Sequence, residues 1–206
     1  DHGLTWTPLS SPAQIIHDLV AMDSVFFAGT TGGIFRSTDY GSSWITLLGS
    51  TEVGSLAISP GGTIYAGTVY EYSYYEPRGV LRSTDNGESW TEANNGLTSP
   101  YVGKLGVAPN GDVFASTGTG TFRSTDNGEN WTAFIGLPDS PLAFAADPDS
   151  SMIFYAGTSR AGFFRSTNSG ESWAPSNTGI INTDVKVIAV GINGLETIVF
   201  AGTQGV

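Results

Sequence analysis

An all-β fold, a β-propeller of five four-stranded antiparallel blades, is predicted by three observations. One string recurs four times: STDYGSSW (37–44), STDNGESW (83–90), STDNGENW (124–131) and STNSGESW (166–173). Its serines stand at 37, 83, 124 and 166, in steps of 46, 41 and 42 residues, and Asp1-His2-Gly3-Leu4-Thr5-Trp6 fits the tail of a fifth copy at 1–6. An apolar run closing on small residues precedes each of the four full copies, VFFAGT (25–30), IYAGT (64–68), VFAST (113–117) and IFYAGT (153–158), and a fifth, IVFAGT (198–203), follows the last. No segment carries a sustained helical period; Ile15–Ala21 is short and matches the other first strands in register. A period of about 42 residues falls in the range of propeller blades, about 40–45.

Each unit resolves into four short strands, a to d. In the second full unit Val53–Ser59 is strand a, Pro60-Gly61-Gly62 a turn, Thr63–Thr68 strand b and Gly79–Ser83 strand c; the box then turns into strand d at Trp90. Asn110-Gly111 is a hairpin signal at the same a–b position of the next unit.

The box explains itself as a folding staple. Asp39, Asp85 and Asp126 can accept bonds from backbone N–H groups just downstream. Gly41, Gly87, Gly128 and Gly170 supply a positive φ two residues on. Trp44, Trp90, Trp131 and Trp173 open strand d with a large apolar face. The hydroxyls of Ser37, Ser83, Ser124 and Ser166 can satisfy remaining turn groups, and Asn168 can make the same bond as the Asp it replaces. Asp1, Gly3 and Trp6 take these roles in the fifth copy.

Residues 1–206 are expected to form one domain. Val206 aligns with Ile34, so the chain ends about four residues short of the Asp at which it begins. That phase predicts a closed five-bladed ring in which Trp6–Leu9 completes the last blade, which would remove an exposed edge. The alternative is a five-blade piece of a larger propeller.

A formal charge of −11 disfavours nucleic acid and anionic membrane surfaces. With no cysteine there is no disulfide, thiol nucleophile or thiolate-bound metal. No His pair has metal-ligand spacing and no nucleotide fingerprint is present, so neither a metal nor a cofactor is expected. No apolar run approaches the roughly 20 residues of a membrane span. No charged-then-apolar leader opens the chain, as expected of a mature or excised form. A monomer is favoured.

The boxes resemble the BNR, or Asp-box, repeat, S-x-D-x-G-x-x-W. Proteins with this repeat include sialidases, xyloglucan-degrading glycosidases, the sortilin luminal domain and a photosystem II assembly factor. The resemblance implies a propeller but no single activity. The longer phrasing, as in NGLTSPYVGKLGVAPNGDVFASTGTGTFRSTDNGENWT, is similar to tandem repeats of secreted bacterial surface proteins, which implies an extracytoplasmic location. Sialidases of this group hold a carboxylate with three arginines. Here Arg36, Arg82, Arg123 and Arg165 recur in one register and are read as structural; Arg78 and Arg160 alone remain, which argues against a sialidase.

Deviations from the repeat mark candidate sites. Four units join b to c with a few residues, whereas the second inserts Val69–Arg78, which holds Tyr70, Glu71, Tyr72, Tyr74, Tyr75, Glu76 and Arg78. Tyrosines offer flat apolar area with a polar tip, suited to sugar rings or a protein partner; the bland reading is a packed cover over the channel mouth. His17, Asp18, Lys104 and Lys186 break the pattern at the starts of the a strands, either as a polar ligand set or as a self-paired channel mouth. Tyr101 lies in a neighbouring d–a loop on the same face. Two functions follow. One is a non-catalytic module binding a glycan or protein. The other is a glycoside hydrolase using two of Glu71, Glu76, Asp18 and Asp184. A repeat scaffold without a ligand of its own is a third possibility.

Overall fold

The computed structural model describes residues 10, 12, 14–72, 75–194 and 196–204. They form strands only, grouped in five antiparallel sheets that follow one another along the chain. The first sheet is β1 (Ile16–Met22), β2 (Val25–Thr30), β3 (Gly33–Ser37) and β4 (Ile45–Gly49). The second is β5 (Glu52–Ile58), β6 (Ile64–Val69), β7 (Val80–Ser83) and β8 (Thr91–Glu92). The third is β9 (Val102–Val107), β10 (Val113–Thr117), β11 (Gly120–Ser124) and β12 (Thr132–Phe134). The fourth is β13 (Pro141–Ala146), β14 (Phe154–Thr158), β15 (Phe163–Ser166) and β16 (Ala174–Pro175). The fifth has two described strands, β17 (Val185–Asn193) and β18 (Glu196–Thr203). Each full sheet is an up-and-down meander, as expected of a blade.

Strand a opens one residue earlier than the sequence suggests, and strand d begins after the Trp. The reason is local. The indole N–H of Trp90 donates to Gly87 O at 3.0 Å and that of Trp173 to Gly170 O at 3.1 Å, so these rings belong to the turn. Burial of the box tryptophans is correspondingly uneven: Trp131 is buried and bonds Ala93 O of the preceding blade, while Trp44, Trp90 and Trp173 are half-buried. Asp1, Gly3 and Trp6, and with them the pairing that would close the ring, lie outside the described residues.

The first strands stand side by side in sequence order, β1 to β5 to β9 to β13 to β17. Their contacts rest on small residues. A Cβ built on Gly29 would lie 2.7 Å from Val53 Cγ1 of the next blade, and one on Gly67 would lie 2.7 Å from the Val102 carbonyl oxygen. Gly157 meets Val185 in the same way, at 2.6 Å. These glycines stand next to last in the AGT runs, and the missing side chain lets the next sheet approach so closely. Arginine ties supplement the contact. Arg36 Nη1 donates to Asn86 O (2.9 Å) and pairs with Glu88 (2.6 Å); Arg82 Nη1 repeats this with Asn127 O (2.8 Å) and Glu129 (2.7 Å). Arg36 and Arg82 thus take the box of the following blade as partner, as the structural reading expects. Arg123 turns mainly to Asp112 and reaches Glu171 of the following box only at 4.0 Å.

The box itself is one hydrogen-bonded unit. Asp85 Oδ1 accepts from Ser83 Oγ (2.8 Å) and Ser89 N (2.9 Å), while Ser83 Oγ accepts from Gly87 N (2.8 Å). Asp39 and Asp126 repeat the pattern, and Asn168 keeps it through Ser166 and Ser172. Gly87 has φ +86°, and the residue before it is also left-handed. Asn86 and Asn127 tolerate that conformation, but the first box places Tyr40 there at φ +57°. Replacing the exposed Tyr40 by Asn should raise stability by about 1 kcal/mol, read by chemical denaturation.

Acid stability should report the boxes. The Ser43 hydroxyl, then its backbone N–H, then Ser37 lower the Asp39 pKa from 3.8 to about 2. Asp85 and Asp126 are lowered to about 2 by Ser89 and Asn130 in the same way. A carboxylate with a depressed folded pKa stabilises above its unfolded pKa and loses that contribution as pH falls through the folded value. Denaturation midpoints should therefore fall between about pH 4 and about pH 2. Asn at all three positions should keep the fold, as at Asn168, and flatten that slope.

Candidate functional site

The insertion leaves β6 at Val69 and rejoins the sheet at Val80, and residues at the openings of three strands receive it. Glu52 opens β5 and is fully buried. Its two carboxylate oxygens both accept the Tyr72 N–H, at 3.1 and 2.9 Å. His17 on β1 stacks on the Tyr72 ring, with centroids 5.7 Å apart and planes at 19°. Its Nε2 lies 3.2 Å from Glu52 Oε1, within ion-pair range but off the line of a hydrogen bond. Tyr101, just before β9, meets Tyr70 edge-on at 5.4 Å and donates a 2.7 Å bond to Glu71 Oε1. Burial, then the Glu71 hydrogen bond and charge, push the Tyr101 phenol up, so it stays a donor. Arg78 pins the far end through its N–H on Thr68 Oγ1 and its Nε on Glu92 at 3.0 Å.

The result is a ledge of tyrosines clamped from below. Tyr70 and Tyr72 remain 60% and 67% exposed, although Tyr101 meets the one ring edge-on and His17 stacks on one face of the other. Tyr75 and Glu76 are exposed further along the insertion, and Tyr74 lies outside the described residues.

The strand-start set splits in two. His17 joins the ledge, while Asp18, on the opposite face of β1, turns into the central channel. There Asp18 Oδ2 accepts from Ser55 Oγ (3.2 Å), Leu56 N (3.0 Å) and Lys104 Nζ (3.2 Å), and Ser55 Oγ accepts from Leu105 N (3.1 Å). This network joins the first three blades across a channel of about 330 Å³ lined by Leu56, Lys104, Phe144 and Val187 among others. Lys186 is apart from both, paired with Asp184 at 3.0 Å. A cavity of about 490 Å³ lies between the a–b turns of the second and third blades, on the box side. Its one charged group, Asp112, is already bound to Arg123, so the larger space is the chemically poorer one.

Three of the four carboxylates considered for hydrolysis are each drawn to a different partner: Glu71 to Tyr101, Asp18 to Lys104 and Asp184 to Lys186. Glu52 was not singled out from the sequence, yet it carries the clamp. It occupies the place held by Ile15, Tyr101, Ser140 and Asp184 in the other blades; a column that never repeats was the available signal.

Comparison with known proteins agrees with the repeat. The family model for the BNR/Asp-box repeat matches residues 122–133. No curated protein matches the chain. Among solved structures, an ancestral GH74 enzyme superposes with a TM-score of 0.70 at 19% identity, over 98% of this chain and 31% of that one. YCF48 bound to D1 peptide gives 0.65 at 16% identity, over 92% of this chain and 63% of that one. An extracellular domain assigned to a one component system of B. thetaiotaomicron gives 0.68 at 15%, over 96% and 27%. This chain thus spans less than two thirds of each of these three. At such identities the likeness establishes the fold: an all-β arrangement of propeller blades built on Asp-box repeats.

If Glu52 clamps the ledge, Glu52→Ala should free the insertion. Limited proteolysis should then cut within residues 70–78 at least tenfold faster than in the unaltered protein, while the five sheets stay protected.

Proposed function

We propose that the chain is a non-catalytic binding propeller that takes a glycan or an exposed protein segment on the Tyr70–Tyr72–Tyr101 ledge. One observation carries this reading: Tyr70 and Tyr72 stand largely open to solvent on a frame held by the buried Glu52 and the half-buried His17 and Tyr101. A pre-ordered aromatic face loses little entropy on binding, and aromatic residues dominate most interaction hot spots. The neighbours support the assignment at fold level only. One is an enzyme, one is bound to a peptide and one is an extracellular domain. The last fits an extracytoplasmic location for this chain. Catalysis is the weaker reading, because three of the four candidate carboxylates are committed to separate local partners.

Excising the whole insertion is a poor test, since it would strand the buried Glu52 carboxylate, and an unsatisfied buried polar group costs about 1–3 kcal/mol or more. Tyr70→Ala and Tyr72→Ala are cleaner, because their rings are mostly solvent-facing. Screening on a glycan array and a peptide array, followed by titration, should show each substitution weakening the ligand found by about tenfold or more, with an unchanged melting temperature. Binding equal to the unaltered protein in both variants would remove the ledge as the site.

A further inference from the structure

The charges of the ledge do not balance. Arg78 is the one cation of the insertion, and it is tied to Glu92 at 3.0 Å. Glu52, buried below, is met by the His17 imidazole at 3.2 Å and by the Tyr72 N–H. Glu71 and Glu76 remain. Both are exposed, and neither forms an ion pair among the described residues. Glu71 Oε1 takes the Tyr101 hydroxyl, while its Oε2 accepts no bond among those residues.

The other cations of the chain are already engaged. On the same face Lys104 is paired with Asp18, Arg160 with Asp139 at 3.4 Å and Lys186 with Asp184 at 3.0 Å. Arg36, Arg82 and Arg123 hold carboxylates on the box side. The eighth, Arg165, stands on β15 next to the fourth box. The surplus anions of the ledge therefore have no counter-charge within the fold.

These anions sit among open rings. Glu71 lies between Tyr70 and Tyr72 in the chain and reaches Tyr101, whose ring meets Tyr70 edge-on. The Tyr101 phenol registers the field: burial first, then the bond and charge of Glu71, with Tyr70 and Glu52 adding, all disfavour its ionisation. The face of an aromatic ring attracts a cation, and a carboxylate beside it receives the cation's N–H donors. A guanidinium suits both at once. It is planar, stacks on the ring and presents a fork to the carboxylate, whereas an ammonium is compact and more strongly hydrated.

We infer that the ledge takes an arginine-bearing segment of a protein partner, with the guanidinium on Tyr70 or Tyr72 and paired with Glu71. This rests on the binding reading of the same ledge and adds the charge and the side chain of what binds there. A neutral glycan could stack on the rings but would gain nothing from the surplus charge. A sialylated or sulfated glycan would be repelled by it.

An array of random-sequence peptides, printed beside neutral, sialylated and sulfated glycans, is the probe. Retained peptides should be enriched in arginine above lysine and depleted in aspartate and glutamate. The best-retained peptide should lose about tenfold or more in affinity between about 0.1 and 1 M salt, as the Debye length shrinks from about 10 to about 3 Å. Lysine in place of its arginine should weaken it several-fold, and glutamine about tenfold or more. Glu71→Gln keeps an acceptor for Tyr101 but removes the charge. It should weaken the same peptide about tenfold at an unchanged melting temperature. Glu171→Gln alters an exposed carboxylate on the box side and should change nothing, which separates the ledge from the general attraction of an acidic protein. A neutral glycan selected instead, and lost in Tyr70→Ala, would overturn this inference and leave the ledge standing. Arginine peptides that bind equally well to Tyr70→Ala and Tyr72→Ala would remove the ledge, and this inference with it. Salt-independent binding, equal losses in Glu71→Gln and Glu171→Gln, or no retained arginine peptide would also contradict it.

Discussion

The fold depends on how closely one sheet can approach the next. Each of the first four blades is a four-stranded meander with apolar residues on both faces, so none hides its core alone. Removing that surface from water requires a neighbour, at roughly 25 cal/mol per Å² of apolar area buried. At three of the four junctions between successive sheets the neighbour comes close because a glycine stands next to last in the strand-b run; Ser116 takes that place in the third sheet. Gly29, Gly67 and Gly157 stand where a methyl group would strike the next blade. The central channel, the opposed faces and the placing of loops follow from that spacing.

The boxes serve the same junction from the outer side. Their Asp–Ser bonds fix a left-handed turn, and the turn presents a glycine to the aromatic of the preceding blade. Arg36 and Arg82 reach across to the box carbonyls and glutamates, so the staple of one blade is also the anchor of another. Exposed ion pairs contribute little singly, and these are better understood as fixing orientation than as supplying most of the stability.

What repeats was legible in the sequence. Strand order, box turn, the role of the recurrent arginines and the substitution of Asn168 all follow from comparing copies, because each copy is an independent witness to the same local physics. What occurs once was not legible in that way. The insertion stood out by length and composition, but its clamp on Glu52 did not, because that pairing joins residues 20 positions apart through a backbone N–H. The split of His17 from Asp18 was visible in strand alternation; the pairing of Asp18 with Lys104 was not, since it spans two blades across the channel. Box tryptophan burial also differs between blades: among the described ones only Trp131 is buried, its ring tied to the preceding blade, while Trp90 and Trp173 close on their own turns.

The most direct test of the spacing argument is equilibrium denaturation of Gly67→Ala beside Gly61→Ala. Ordinary conformational preference favours Ala over Gly within a strand, so propensity alone predicts a slight gain at Gly67. The junction account predicts the opposite sign, a loss of about 1–3 kcal/mol, because the added methyl would lie 2.7 Å from a backbone carbonyl that cannot turn aside. Gly61, with open space around its turn, should change little. Equal or improved stability for Gly67→Ala would contradict the claim that close approach at these small residues holds the blades together.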